Sequence, residues 1–218
     1  MASSSLTNTL VSWQPKEFWY LKVAAGALAA SRLFFDSYYF VRVLLRACMG
    51  GGRYLVGAKA KGLLVPHETI IWCTTTDLDN WLHMNNSRYN RECDFARTSL
   101  LLQRRIYPVL QKHRVSLGLA ATTIRFRKSI NFLQRAILRS KIVFWDERAF
   151  YIEQSFYRPS DSFVYATLYA KTTIVGASTQ QVLEWLEYTG ERPEPSPDLL
   201  SWISYIEQSS ERLRPKVQ

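Results

Sequence analysis

The chain has 218 residues, enough for one domain with a sizeable core and appended segments, while two full-size domains would be a squeeze. With 47% hydrophobic and 14% aromatic residues, burial offsets chain entropy over most of the length, which excludes wholesale disorder. The formal charge of +10 calls for an anionic partner, and the scattered Cys48, Cys73 and Cys93 suggest neither a disulfide framework nor a zinc site, which fits a reducing compartment.

Nucleic acid is the least expected partner, because the sequence has no RNA-binding aromatic signature and no zipper. Residues 1–49 read instead as a membrane-anchor segment. Phe18 to Met49 is strongly apolar but interrupted by Lys22, Arg32, Asp36, Arg42 and Arg46. As a helix, Val23 to Val41 would extend roughly 28 Å, close to the hydrocarbon thickness of a bilayer. Arg32 and Asp36 within it are four residues apart and opposite in sign, so a helix would pair them and lower the cost of burying either. Two other readings stay open. One is an amphipathic helix among the headgroups, with Trp19, Tyr20, Tyr38 and Tyr39 at interface depth; the other is an export signal, which lacks a small-residue cleavage site.

Residues 50–68 read as a basic linker. Arg42, Arg46, Arg53, Lys59 and Lys61 have no acidic residue among them, whereas the N-terminal flank carries little beyond Lys16 and Glu17. The positive-inside rule then puts the following domain in the cytosol. The same run reads either as a solvated linker around Gly50, Gly51 and Gly52 or as a headgroup-binding stretch.

Thr69 to Thr76 is rich in β-branched residues and predicts a first strand, followed by a polar turn from Asp77 to Asn86. A long helix is expected from Ser87 to about His113, with Tyr89, Cys93, Ala96, Leu100 and Tyr107 near the helical period and heavily buried. From Val115 the period becomes two. Ala136, Leu138, Ile142 and Phe144 alternate with Arg135, Arg139 and Lys141, so that segment is a strand with one apolar face. Asp146 to Arg148 turns the chain into Phe150 to Tyr157, and Pro159 to Ser162 leads into Phe163 to Val175. Ser178 with Gln181 resembles a capping box opening a short helix that Gly190 would end. After a proline-rich break, a last helix from Asp198 sets Leu199, Trp202, Ile203, Ile206 and Leu213 on one face.

One strand, a long buried helix and a run of antiparallel strands predict an α+β domain with a sheet wrapped around a helix. The stretch Asp77-Leu78-Asp79-Asn80-Trp81-Leu82-His83-Met84-Asn85-Asn86-Ser87 resembles the signature of the hotdog-fold acyl-CoA thioesterases, an Asp-x-Asp pair followed by His-x-Asn-Asn and a helix. Arg127 to Ile130 and Phe144 to Gln154 are similar to later strands of the 4-hydroxybenzoyl-CoA thioesterase-like group. The N-terminal segment and Trp202 to Glu207 further resemble the animal thioesterase superfamily member six proteins.

The resemblance implies a hotdog domain at residues 69–176, an N-terminal membrane-associated helix and a C-terminal helical extension at 177–218. It implies a homodimer acting on acyl-CoA or a related thioester, with the site between subunits near Asp79 and the helix start, with no metal or organic cofactor, at the endoplasmic reticulum membrane. It places the general base or nucleophile on Asp79, with His83 assisting, and substrate-binding groups at Asn85, Asn86 and Ser87. Backbone N–H groups from Asn86 to Arg88 would polarise the thioester carbonyl at the positive end of the helix. The sequence departs from related patterns at Trp81, where plant acyl-carrier-protein thioesterases have Asn, and at Leu82, where many bacterial relatives have Gly. That motivates a second reading, a module that binds acyl-CoA or lipid, or scaffolds a membrane complex, without turnover. Each residue also has a plainer role: Asp77 and Asp79 as turn and capping groups, His83 as a satisfied histidine, Asn85 and Asn86 as helix caps. Arg125, Arg127, Lys128, Arg135, Arg139 and Lys141 read either as a polar sheet face or as coenzyme A phosphate ligands.

Overall fold

A computed structural model describes residues 19–34, 39–41, 44, 48 and 62–214. The chain divides into two units, Met1–Arg42 and Val43–Gln218. In the first, helix α1 runs Trp19–Phe34, 16 residues or roughly 24 Å at the helical rise. Trp19, Tyr20, Leu21, Val23 and Leu28 on it are exposed. Among the described residues, no helix is long and apolar enough to cross a membrane. The expected helix from Val23 to Val41 and its Arg32–Asp36 pair run through residues outside the described ones, as does most of the basic linker.

The second unit holds β1 (His67–Trp72), α2 (Asn86–Gln103), α3 (Ile106–Lys112), β2 (Ser116–Phe126), β3 (Arg135–Trp145), β4 (Ala149–Tyr157), β5 (Val164–Val175), α4 (Thr179–Trp185) and α5 (Pro197–Leu213). The strands form one sheet in the order β1-β3-β4-β5-β2, every pair antiparallel. The sheet packs around α2. Tyr89, Cys93, Ala96 and Leu100 of α2 lie fully buried in one cluster with Ile71, Leu138, Ile142, Phe150, Ile152, Phe156, Leu168 and Ala170 from the strands. This is the α+β hotdog arrangement expected above.

The helix is shorter than its apolar period implied. The backbone turns left-handed at Arg105, with φ of 60°, and Pro108 has no N–H to continue the ladder, so α2 stops at Gln103 and α3 begins at Ile106. The first strand also ends early, at Trp72, and Thr75–Asp77 forms a single 3₁₀ turn. In β3 the pairing with β4 shifts between Ile142 and Phe144, and this extra residue inverts the alternation. Trp145 therefore enters the inner core, while Phe144 joins the opposite face instead of following Ala136, Leu138 and Ile142.

That outer face is covered by α5. Leu199, Ala149 and Tyr151 form a second core there with Val143, Phe144, Tyr169, Trp202 and Ile203 around it. Trp202 stacks on Tyr169 and meets Tyr151 edge-on, and Tyr169 donates a 2.8 Å hydrogen bond to Asp198 at the helix start. Leu213, expected on the packed face, is exposed in the last turn. The Ser178–Gln181 capping box opens α4 as predicted. Its end comes earlier than Gly190: Glu187, with φ of 54°, takes the left-handed position just past the helix.

Candidate functional site

The turn from Thr74 to Asn85 joins the edge strand β1 to the N-terminus of α2, so its side chains are set at the helix's positive end. Asp77 fixes the turn. Its side chain is fully buried, accepts from the Thr74 N–H at 2.8 Å and the Thr74 hydroxyl at 2.7 Å, and pairs with Arg91 one turn into α2. Arg91 also donates to the buried Glu92 at 3.1 Å. The Asn85 N–H donates to the Asp77 carbonyl at 2.8 Å, so turn and helix are locked at both ends. Buried carboxylates and guanidinium groups persist only when paired in this way.

Asp79 points elsewhere. One carboxylate oxygen accepts the Trp81 N–H at 2.8 Å, and the other lies 2.9 Å from His83 Nδ1, an ion-pair distance without hydrogen-bond alignment. The two side chains are partly exposed, at 21% and 32%. Backbone bonds from Asp79 N–H to the His83 carbonyl and from Leu82 N–H to the Asp79 carbonyl close the loop around the pair. Leu82 has φ of 60°, the conformation a glycine adopts without strain.

Asn85 is the N-cap of α2: its side chain accepts the Ser87 N–H at 2.9 Å, and its carbonyl accepts the Arg88 N–H at 2.8 Å. Of the expected carbonyl-polarising donors from Asn86 to Arg88, Ser87 and Arg88 are thus already engaged within the cap, which leaves the Asn86 N–H. Asn86 and Ser87 are exposed beside it. Below the turn, burial pushes the Cys73 thiol up to about 11, with Asp77 and Asp79 adding to the shift, and burial raises the Tyr89 phenol to about 12. Tyr89 accepts the Ile130 N–H at 3.2 Å, which ties the β2–β3 loop to α2. Among the described residues, no group of three His, Cys, Asp or Glu side chains could hold a metal ion.

The structure therefore brings Asp79 and His83 together, and holds Asn85, Asn86 and Ser87 at the adjoining helix start. Arg91 and Gln154 had no signal in the periodicity. Gln154, fully buried on β4, accepts from Arg97 at 2.8 Å and donates to the Cys93 carbonyl and the Ser140 hydroxyl at 2.9 Å each. Of the six cations read as a sheet face or phosphate ligands, Arg139 pairs with Glu68 at 2.7 Å and Arg127 stacks 4.9 Å from the Phe163 ring centroid. A groove of about 460 Å³ opens at the other end of the sheet, lined by Glu147, Arg148, Gly176, Ser178 and Gln181 among others, and Asp79 does not line it.

The thioesterase-like superfamily profile matches residues 73–203. The chain is 33% identical over 199 residues to Protein THEM6 of Xenopus laevis, covering 89% of this chain and 93% of that one. It is 36% identical to Protein THEM6 of Danio rerio, covering 83% and 88%. Among solved structures, the probable thioesterase YbaW of Escherichia coli matches with a TM-score of 0.52 at 18% identity, over 55% of this chain and 96% of that one. A hypothetical protein of Thermus thermophilus matches at 0.51 and 14%, over 58% and 99%, and both likenesses concern the fold. By the enclosed helix, the motif-bearing turn at its N-terminus and these matches, the chain belongs to the thioesterase-like superfamily, with the THEM6 proteins among its relatives.

Proposed function

We propose that the protein is a membrane-tethered acyl-CoA thioesterase, with Asp79 as the group that activates water and His83 as its partner. The reading rests above all on one observation: the Asp79 carboxylate lies 2.9 Å from the His83 ring at the start of an enclosed helix. Water oxygen bonds to the thioester carbon as Asp79 takes its proton, and the carbon–sulfur bond then breaks, giving a carboxylic acid and a thiol. His83 is placed to steady the Asp79 carboxylate and carry a proton to the departing sulfur. Asn86 N–H and the positive helix end are the groups available to the carbonyl oxygen, with Asn85 and Ser87 shaping that end. Superfamily membership supports the chemistry, and the turn supports the assignment of roles.

The protein acts as a homodimer in this reading. Edge strand β2 supports it: ten of its eleven residues pair with β5 on one side only, and its side chains are exposed or half-exposed along both faces. The exposed apolar surface of α1 and the basic run after it support a tether at the endoplasmic reticulum membrane with residues 69–176 facing the cytosol. The domain limits 1–49, 50–68, 69–176 and 177–218 belong to the same proposal.

A panel of short-chain, long-chain and aryl acyl-CoAs tests the enzyme. Hydrolysis is expected for at least one class, with Asp79→Asn lowering kcat by about 10²-fold or more. Intact hydrolysis in Asp79→Asn would overturn the mechanism. Absence of hydrolysis across the panel, with acyl-CoA still bound, would favour the non-catalytic module, a reading motivated by one Asp79 oxygen being committed to the Trp81 N–H and by a leucine at the left-handed Leu82.

A further inference from the structure

The connection between α4 and α5 presents a serine on an extended backbone. Residues 191–196 form neither helix nor strand, and among the described residues no backbone hydrogen bond involves Arg192, Pro193, Glu194 or Pro195. Pro193, Pro195 and Pro197 stiffen the segment, and Ser196 takes φ of −65° and ψ of 155°, the polyproline conformation. Ser196 is exposed, and its side chain does not cap α5. It lies beside Tyr169 of β5 on the outer sheet face, rather than at the Asp79 turn or on the β2 edge.

Of the eight prolines in the sequence, Pro197 alone follows a serine or threonine. A protein kinase takes its substrate as an extended chain, which excludes serines held in a helix, such as Ser201 and Ser204, unless the helix unwinds. Ser196 already has the required shape. The proline after it has a fixed φ and no N–H, so it selects a kinase that accepts proline at that position and excludes one that pairs the following N–H.

Three groups share the surroundings of the Ser196 hydroxyl. The Tyr169 hydroxyl is 3.4 Å from Ser196 Oγ and donates to the Asp198 carboxylate at 2.8 Å. Hydrogen bonds from Ser196 and then from Tyr169 hold the Asp198 carboxyl below the usual carboxylate range. Leu199 and Trp202, just beyond, help to seal the outer face. A phosphate on Ser196 removes the hydroxyl proton, sets a charge of about −1.5 to −2 beside Asp198 and offers Tyr169 a stronger acceptor. Glu194 and Glu153 add repulsion, with Glu153 opposite Tyr169 across the β4–β5 pair. The cations nearby are engaged: Lys171 lies 3.6 Å from Asp146, Arg192 lies 5.3 Å from the Phe144 ring centroid, and Lys141 stands opposite Glu153. The positive end of α5 attracts a phosphate, but Asp198 already occupies it, so the two anions compete.

We propose that Ser196 is a phosphorylation site for a proline-directed protein kinase, and that the phosphate draws Tyr169 away from Asp198 and loosens the first turn of α5 on the outer sheet face. Ser196 Oγ bonds to the γ-phosphorus of ATP, the bond from that phosphorus to the bridging oxygen breaks, ADP leaves, and the hydroxyl proton passes to the base of the kinase. This switch is separate from the Asp79 site and does not depend on thioester hydrolysis.

The purified full chain is incubated with a proline-directed kinase and Mg-ATP, and phosphate is located by mass spectrometry. Phosphate is expected on Ser196 and is expected to be missing from that position in Ser196→Ala. Amide hydrogen exchange of residues 200–204, the first hydrogen-bonded turn of α5, is then expected to quicken about tenfold while β4 does not change. Tyr169→Phe is expected to quicken the same amides without phosphate. Refusal of phosphate by the folded chain, with a peptide of residues 190–202 accepting it, would overturn the proposal by showing that the fold shields Ser196; refusal by both would overturn it outright. Unchanged or slower exchange in the phosphorylated chain would overturn the switch, because the phosphate would then cap α5 instead of loosening it.

Discussion

Asp77 and Asp79 stand two residues apart in the same acidic turn and meet opposite fates. Asp77 is sealed against Thr74 and Arg91, whereas Asp79 reaches the edge of solvent beside His83. The sequence marks both as turn and capping residues and shows the four-residue spacing to His83. It cannot show which carboxylate is buried, because that depends on Arg91 arriving from the helix. Gln154 is a second residue of this kind. Replacing it by leucine removes the shared partner of Arg97, Ser140 and the Cys93 carbonyl and leaves those polar groups in a dry core. Gln154→Leu is expected to lower unfolding stability by about 2–3 kcal/mol. Urea denaturation measures it, and an unchanged midpoint would mean that the network contributes no net stability.

At the scale of elements, the period-two segments and the Ser178 cap were legible because alternation and capping are local properties. The break at Arg105 and the register shift after Ile142 were not, because apolar residues continue through both. The helix α2 was legible, but the burial of its Arg91, Glu92 and Arg97 was not, since an enclosed helix can hide charges only once tertiary partners reach them. The edge strand β2 carries its own prediction. A lysine at the half-exposed Leu119, next to the irregularity between Leu119 and Ala121, puts a charge on the edge that pairs copies in the proposed dimer. Sedimentation is expected to show a dimer for the wild type and a shift toward monomer for Leu119→Lys. A monomeric wild type would remove the dimer from the proposal.

For the molecule as a whole, the proposed tether assigns membrane attachment to the N-terminal segment and hydrolysis to the thioesterase-like domain. The full chain is expected to stay with membranes after carbonate extraction, and a form lacking residues 1–49 to be released. Complete release of the full chain would eliminate a spanning anchor and leave only peripheral attachment. By itself, the sequence determined the class of fold, the location of the acidic turn before a helix, the basic balance and the apolar N-terminus, because each is written in local composition and period. Only the tertiary structure decided which side chains of that turn meet, where the long helix breaks and that α5 seals the outer sheet face. Those outcomes arise from contacts between residues far apart in the chain, whose free energies no local pattern records.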